Sequence, residues 1–254
     1  MNLPLENKLA LVTGSSRGIG AAIAKRLAAD GATVLVHYSA SPDRAKNVAN
    51  EIKKAGGNAE ILAADLSRLD GPSTLLAQID GTFGGRFAGR LDILVNNAGT
   101  VDFHPILEVT DEAFEKQLNL NVRAIFYLTR EAARRMTKAG WGRVINIGSA
   151  YGEAVPRPGV GVYAGTKFAV QGFTRGWSRE LGATGVTVNN VQPGPIDTEL
   201  SPADGPRAEA LKKLTSVGRF GTVEEIASAV AFLASPDSAF INGESLTVDG
   251  GWSA

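Results

Sequence analysis

Leu9-Ala-Leu-Val-Thr13-Gly14-Ser-Ser-Arg17-Gly18-Ile-Gly20 opens the readable part of the chain, and an alanine-rich stretch follows it to Asp30-Gly31. A short apolar run of this kind fits a strand covered on both faces better than a helix. Three glycines at the spacing G-x-x-x-G-x-G let the backbone turn sharply. The helical pattern after them brings free N–H groups and the positive end of a dipole to the turn, where a pyrophosphate is favoured. A glycine cluster alone is also compatible with a plain tight turn, and the spacing is not the dinucleotide fingerprint G-x-G-x-x-G. Its place after the first strand of an α/β chain selects the mononucleotide-binding unit.

Outward from this unit the same alternation repeats. Thr33-Val-Leu-Val-His37 reads as a second strand, and a helix over 43–55 closes at Gly56-Gly57. Glu60–Ala64, Leu91–Val95, Val144–Ile147, Val186–Val191 and Ser245–Asp249 supply five more strands. Thr110 has the character of an N-cap for a helix reaching about Thr137, inside which Asn119 and Asn121 are poor helix formers that need another reason to be present. Thr222-Val-Glu-Glu225 is a capping box opening the last helix. Residues 197–220 read as a mobile flap over the strand ends. Over 68–90 the expectation is a helix from Ser73 to Phe83 and a loose loop. No internal repeat, linker or low-complexity tract is present, so the chain reads as one domain spanning 1–254.

The second strand ends in Tyr38-Ser39-Ala40, where an NAD site on this architecture usually carries an acid for the ribose hydroxyl. Asp43 lies beyond Pro42, in the next helix. Arg17 sits instead in the glycine turn, at a helix start where a cation is disfavoured unless an anion is bound there. Both features select NADP(H) over NAD(H), with Ser39 and Arg44 as further phosphate contacts. Asp65, at the end of the third strand, either accepts from an adenine amino group or caps the next helix. Asn96-Asn97-Ala98-Gly99 ends the fourth strand with small residues that leave room for a ring, and amides that can brace neighbouring strands.

The chemistry concentrates between Arg143 and Lys167. Ser149 stands just past a buried strand's carboxyl end, where open α/β sheets bind ligands. Tyr163-Ala-Gly-Thr-Lys167 begins a helix, and a four-residue spacing places the ammonium beside the phenol ring. A neighbouring cation is expected to lower the phenol's pKa from its usual value of about 10. Such a phenol can give a proton to a carbonyl oxygen or take one from an alcohol. Ser149 is placed to hydrogen-bond the same oxygen.

With 254 residues, 44% of them hydrophobic and 20% charged, the chain has the composition of a globular protein with a substantial core. Basic and acidic residues number 26 each, which gives no electrostatic case for nucleic acid or an anionic membrane. The absence of cysteine excludes disulfides, thiolate metal sites and a cysteine nucleophile. His37 and His104 have no partners at a metal-ligand spacing, so no metal is expected. No signal-like or membrane-length apolar run occurs, and the expectation is a cytoplasmic protein acting on a small molecule.

Taken together, Thr13-Gly14-x-x-x-Gly18-x-Gly20, Asn96-Asn97-Ala98-Gly99, Asn121, Ser149, Tyr163-x-x-x-Lys167, Pro193-Gly194 and Val248-Asp249-Gly250-Gly251 resemble the short-chain dehydrogenase/reductase family along essentially the whole length. The resemblance implies a Rossmann-type three-layer α/β domain with a parallel sheet in the order 3-2-1-4-5-6-7 and helices on both faces. It implies Tyr163 as acid/base, Ser149 orienting the carbonyl, Lys167 binding the ribose and lowering the tyrosine pKa, and Asn121 holding a water in a proton relay. Asn121 fits better than Asn119 because Val and Arg follow it. Cofactor contacts are then expected at Gly14, Ser16, Arg17, Gly18, Ile19 and Gly20. Further ones are expected at Tyr38, Ser39, Asp65, Leu66, Asn97, Ala98, Gly99, Tyr163, Lys167, Pro193, Gly194, Ile196 and Thr198. A homotetramer joined through two long helices and the last strand is also implied.

The chain looks most like 3-oxoacyl carrier-protein reductases. The two arginines that dock an acyl carrier in that group fall at Gly140 and Thr184 here, which argues against a carrier-bound substrate, although Arg134, Arg135 and Lys138 are near. The expected activity is NADPH-dependent reduction of a ketone or aldehyde. Its alternatives are oxidation of a polyol, sugar or other secondary alcohol, and a non-catalytic nucleotide-binding regulator.

Overall fold

The computed structural model describes residues 3–82, 87 and 89–254. Among them one parallel sheet is built from β1 (Leu9–Val12), β2 (Thr33–Tyr38), β3 (Asn58–Ala63), β4 (Ile93–Asn96), β5 (Gly142–Ile147), β6 (Val186–Pro193) and β7 (Ser245–Val248). Its order is β3-β2-β1-β4-β5-β6-β7, as the resemblance implies. Parallel neighbours need crossover connections. These are supplied by helices α1 (Gly18–Ala29), α2 (Pro42–Lys54), α3 (Gly71–Thr82), α4 (Asp111–Leu118), α5 (Ala124–Ala139), α6 (Gly161–Leu181) and α8 (Val223–Ala234), with the short α7 (Ala208–Leu214) inside the flap segment.

Alternation along a strand divides the core in two. Ala10 and Val12 of β1 join Ile23, Leu27, Val48, Ile52, Ile226 and Val230 beneath α1, α2 and α8. Leu9 and Leu11 join Leu75, Ile79, Leu128 and Met136 beneath α3 and α5, with Trp177 and Leu181 of α6 at the margin. The central strands β1, β4, β5 and β6 are therefore covered on both faces, which is why continuous runs rather than alternating ones mark them in this sequence.

Several boundaries differ from the sequence reading, for identifiable reasons. α2 starts at Pro42, because a proline at the first helical position gives up an N–H that would be unpaired anyway. α6 starts two residues before Tyr163, which places the phenol inside the first turn. α3 covers Gly71–Thr82, and the expected last residue, Phe83, lies outside the described residues. The single helix expected from Thr110 to Thr137 is two α-helices joined by a π-turn over Asn119–Arg123. This turn answers the question posed by the asparagines, since a π-turn is where a helix admits residues that serve something other than helix stability. Thr110 is the expected N-cap, accepting from the Ala113 N–H at 3.2 Å, and Thr222 and Glu225 form the expected capping box. The flap segment is tied at its base rather than loose: Ile196 pairs with Gly221, and Ser216 Oγ donates to the Gly250 carbonyl at 2.9 Å.

A chain of amides runs through the second core layer. Asn96 Nδ2 donates to Asn146 Oδ1 at 2.9 Å and to Thr129 Oγ1 at 3.0 Å, and Asn146 Nδ2 donates to Thr174 Oγ1 at 2.9 Å. All four residues are buried. The chain locks β4, β5, α5 and α6 in register directly beneath Ser149. Asn146→Leu strands a buried amide donor, and we expect it to lower the unfolding free energy by about 2–3 kcal/mol, read as a shifted urea midpoint. An unchanged midpoint would show that the amides add nothing net.

Candidate active site

The glycine turn is held from three sides. Thr13 Oγ1 accepts from the N–H groups of Asn97 and Ala98, both at 2.9 Å. The Asn97 side chain donates to the carbonyls of Thr13 and Gly14 at 2.8 and 3.1 Å. His37 Nδ1 accepts from the Gly14 N–H at 2.9 Å while its Nε2 lies 3.0 Å from the Ala64 carbonyl. That pairing fixes the tautomer, with the proton on Nε2. Gly20 has to be glycine, because a Cβ there would stand 2.5 Å from Asn97 Nδ2. Gly18 adopts φ +55° and a Cβ on it would meet only the Thr198 methyl at 3.8 Å, so the backbone here is open to a ligand. The first N–H groups of α1 have no intrahelical acceptor.

Beside this turn lies a groove of about 410 Å³ lined by Ser16, Arg17, Gly18, Arg44, Asn47 and Glu199, among others. Arg17 is the N-cap residue of α1. Its guanidinium and that of Arg44 converge on one oxygen of Glu199, at 3.6 and 2.6 Å. Two cations sharing one oxyanion show that the place accepts an anion. Tyr38 is half-buried at the end of β2, and Ser39 follows it, exposed. Asp65 does not cap the next helix. Its Oδ1 accepts from the N–H and hydroxyl of Ser67 at 3.0 and 2.6 Å, closing a local turn six residues before α3 begins. Leu66 is buried beside it. Pro193 and Gly194 end β6 next to β7, with the Gly194 N–H on the Val248 carbonyl at 3.1 Å, and lead into Ile196 and Thr198. Glycine turn, arginine groove and β6 end thus border one cleft at the carboxyl edge of the sheet. The two guanidiniums of the groove are held by a single exposed carboxylate, whose place a phosphate can take, so the residues present fit NADP(H).

Ser149, Tyr163, Lys167 and Asn121 gather on the other side of Gly99. A Cβ on Gly99 would lie 3.3 Å from Asn121 Oδ1 and 3.9 Å from Lys167 Nζ. Lys167 Nζ stands 5.5 Å from the Tyr163 ring centroid and donates to the Ile147 carbonyl at 2.9 Å. Asn121, buried in the π-turn, is anchored by Thr100: its Oδ1 accepts from the Thr100 N–H at 2.9 Å and its Nδ2 donates to the Thr100 carbonyl at 2.8 Å. Ser149 Oγ accepts from the Tyr151 N–H at 3.2 Å and is hydrogen-bonded to the Tyr163 hydroxyl.

The phenol does not behave as the sequence leads one to expect. Burial pushes the Tyr163 hydroxyl up to about 12, against a downward pull from a hydrogen bond with Ser149 and an upward push from Tyr151. Burial also pulls the Lys167 ammonium down to about 8. Desolvation of both groups outweighs the attraction that a solvent-exposed pair of this spacing suggests. At neutral pH the pair is therefore a protonated phenol beside an ammonium.

Residues outside the sequence reading also stand here. Tyr151 and Phe103 flank the phenol, Trp252 stands against Tyr151, and Arg157 lies over the Phe103 and Tyr151 rings. They come from three separate segments with no shared pattern, so no sequence signal marks them. His37 was legible only as an unpartnered imidazole.

The sheet order and the Ser149–Tyr163–Lys167 grouping define a nucleotide-binding oxidoreductase of the doubly wound class. Residues 14–253 match the family model described as Enoyl-(Acyl carrier protein) reductase. A short-chain dehydrogenase/reductase from Serratia marcescens superposes with a TM-score of 0.93 at 47% identity, covering 99% of this chain and 100% of that one. A short chain dehydrogenase from Burkholderia cenocepacia, solved in complex with NADP, gives 0.92 at 41%, again over 99% and 100%. Over 97% of this chain and 98% of their own lengths, a 3-oxoacyl-(acyl-carrier-protein) reductase of Vibrio cholerae is 41% identical and a cyclic-di-GMP-binding biofilm dispersal mediator protein of Escherichia coli 40%. The chain belongs to the short-chain dehydrogenase/reductase family. Among the described residues no helix is long and apolar enough to cross a membrane.

Because His37 is buried and neutral, its pKa is lowered from 6.5 to about 4, mainly by desolvation. The unfolded chain takes up the proton first as pH falls. The stability His37 contributes is complete above pH 6.5 and is lost progressively down to pH 4, by about 3 kcal/mol. Urea unfolding across that window should show this slope, and His37→Gln should flatten it; equal slopes in both proteins would contradict the assignment.

Proposed function

We propose that this protein is an NADP(H)-dependent carbonyl reductase, converting a ketone or aldehyde to the alcohol. The observation that carries the reading is the protonation of Tyr163. A phenol held up to about 12 is loaded with the proton that carbonyl reduction consumes, whereas alcohol oxidation would need it ionised. A regulator that only binds a nucleotide has no use for a buried serine, phenol and ammonium beside Gly99.

In this reading the glycine turn and the first N–H groups of α1 hold the pyrophosphate, with Ser16, Ile19 and Thr198 around it. Arg17 and Arg44, with Ser39 near them, take the extra phosphate in place of Glu199. Tyr38, Asp65 and Leu66 border the adenine side, while Asn97, Ala98, Gly99, Pro193, Gly194 and Ile196 border the nicotinamide side. Bound there, NADPH would supply the hydride that reduction of the carbonyl carbon needs. Tyr163 gives its hydroxyl proton to the carbonyl oxygen, and Ser149 donates a hydrogen bond that holds that oxygen in place. Lys167 stabilises the phenolate left behind and bonds a ribose hydroxyl, and Asn121 positions water for reprotonation. Segment 197–220 covers the site. The V. cholerae relative's name is the nearest guide to a carrier-bound substrate, but Arg134 and Arg135 are already paired with Glu131 and Asp80, which favours a free small molecule.

Purified protein assayed for NADPH oxidation on a panel of carbonyl compounds tests this. Tyr163→Phe is expected to lose about 10²–10⁴-fold in kcat/KM, and full activity in that variant would overturn the catalytic assignment. Arg17→Gln with Arg44→Gln should raise KM for NADPH by about 10–100-fold while changing KM for NADH far less. Equal effects on both cofactors would remove the phosphate from that groove.

A further inference from the structure

The aromatic rings around Tyr163 form a wall with a chemical preference of its own. Phe103 stands edge-on to Tyr163 with centroids 5.8 Å apart, and Tyr151 meets Tyr163 at 6.0 Å. Trp252, from the C-terminal tail, continues the wall 5.2 Å beyond Tyr151. Phe103, Tyr151 and Trp252 are each half-buried, so part of every ring remains accessible.

Arg157 completes the arrangement. Its guanidinium lies 4.5 Å from the Phe103 centroid and 5.8 Å from that of Tyr151, and its Nε donates to the Tyr151 hydroxyl at 3.1 Å. Among the described residues no carboxylate comes within ion-pair distance of it. Arg17, Arg44, Arg134, Arg135 and Arg219, by contrast, each have one. Stacking on the rings and the bond through Nε hold the guanidinium in a fixed plane while its two terminal nitrogens stay available. That is the geometry in which arginine takes a carboxylate through two parallel hydrogen bonds.

We propose that the substrate is a flat aromatic ketone bearing a carboxylate, its ring lying against Phe103, Tyr151 and Trp252, its carboxylate on Arg157 and its carbonyl at Tyr163. This deepens the reductase reading and rests on it for turnover, though not for binding. Ring against ring supplies the apolar contact. The charge at one end sets which way round the molecule lies, and so which carbonyl face meets the hydride.

The experiment compares acetophenone, its 2-, 3- and 4-carboxylates, cyclohexyl methyl ketone and propanal as substrates, with binding of the acetylbenzoates followed in parallel by quenching of tryptophan fluorescence. At least one acetylbenzoate should exceed acetophenone in kcat/KM by about tenfold, the worth of a charge-assisted bond. Acetophenone should exceed cyclohexyl methyl ketone by about fivefold. Arg157→Gln should bring the carboxylate ratio close to one, and Trp252→Leu should reduce the aromatic ratio and remove the quenching. No acetylbenzoate preference in the wild type, or a preference that survives Arg157→Gln, overturns the proposal. Saturable quenching lost in Arg157→Gln, with no NADPH oxidation on any compound, would uphold the site and sink the reductase reading. Oxidation of NADPH by propanal with no acetylbenzoate quenching would do the reverse.

Discussion

A buried ammonium has to be accounted for, and in this fold one hydrogen bond does most of that. Lys167 is almost completely removed from solvent and donates to the Ile147 carbonyl at the end of β5. Burial pulls its pKa down to about 8, a cost to the charged form of about 3 kcal/mol, yet this value still leaves roughly nine in ten of these side chains charged at neutral pH. The charge survives because β5 ends where it does. Its last carbonyl points at the first turns of α6, and the amide chain Asn96–Asn146–Thr174 keeps strand and helix at that separation. The catalytic geometry is thus a consequence of the register between β4, β5 and α6, set in the core and read out at the strand ends.

The glycine turn obeys the same logic at β1. A loop with this many exposed backbone donors would collapse on itself unless its own carbonyls were engaged elsewhere. The Asn97 amide occupies two of them, those of Thr13 and Gly14, while Thr13 Oγ1 and His37 Nδ1 take the N–H groups of Asn97 and Gly14, and the N–H groups of α1 are left facing outward. Both halves of the cleft therefore rest on polar side chains buried within the sheet. An apolar core of equal volume would keep the sheet and lose the site.

These features differ in how far the sequence discloses them. Strands covered on both faces appear as unbroken apolar runs, and G-x-x-x-G-x-G states its conformational requirement directly, so the sheet and the nucleotide edge are legible. The same holds for Thr110 and for Thr222–Glu225, whose capping bonds are local. The π-turn at Asn119–Arg123 is not, because it depends on Thr100 reaching Asn121 across the cleft. Nor is the direction of the Tyr163 shift: the spacing to Lys167 reveals the pairing, while the burial that dominates it arises where Phe103 and Tyr151 reach the ring from other segments of the chain. Glu199 meeting Arg17 and Arg44 likewise joins a flap to two helix starts far apart in the chain.

A protonated phenol of high pKa is a weak acid, so catalysis requires that its conjugate base be stabilised when the proton leaves. Lys167 is the positive charge the protein places for that purpose, 5.5 Å from the ring. The direct test is the pH dependence of kcat/KM for carbonyl reduction, compared between wild type and Lys167→Met. The wild-type profile should fall as pH rises through about 8, where Lys167 loses its charge, and that fall should vanish in Lys167→Met. A profile lowered uniformly but unmoved along the pH axis would contradict the account and leave Lys167 a binding group alone.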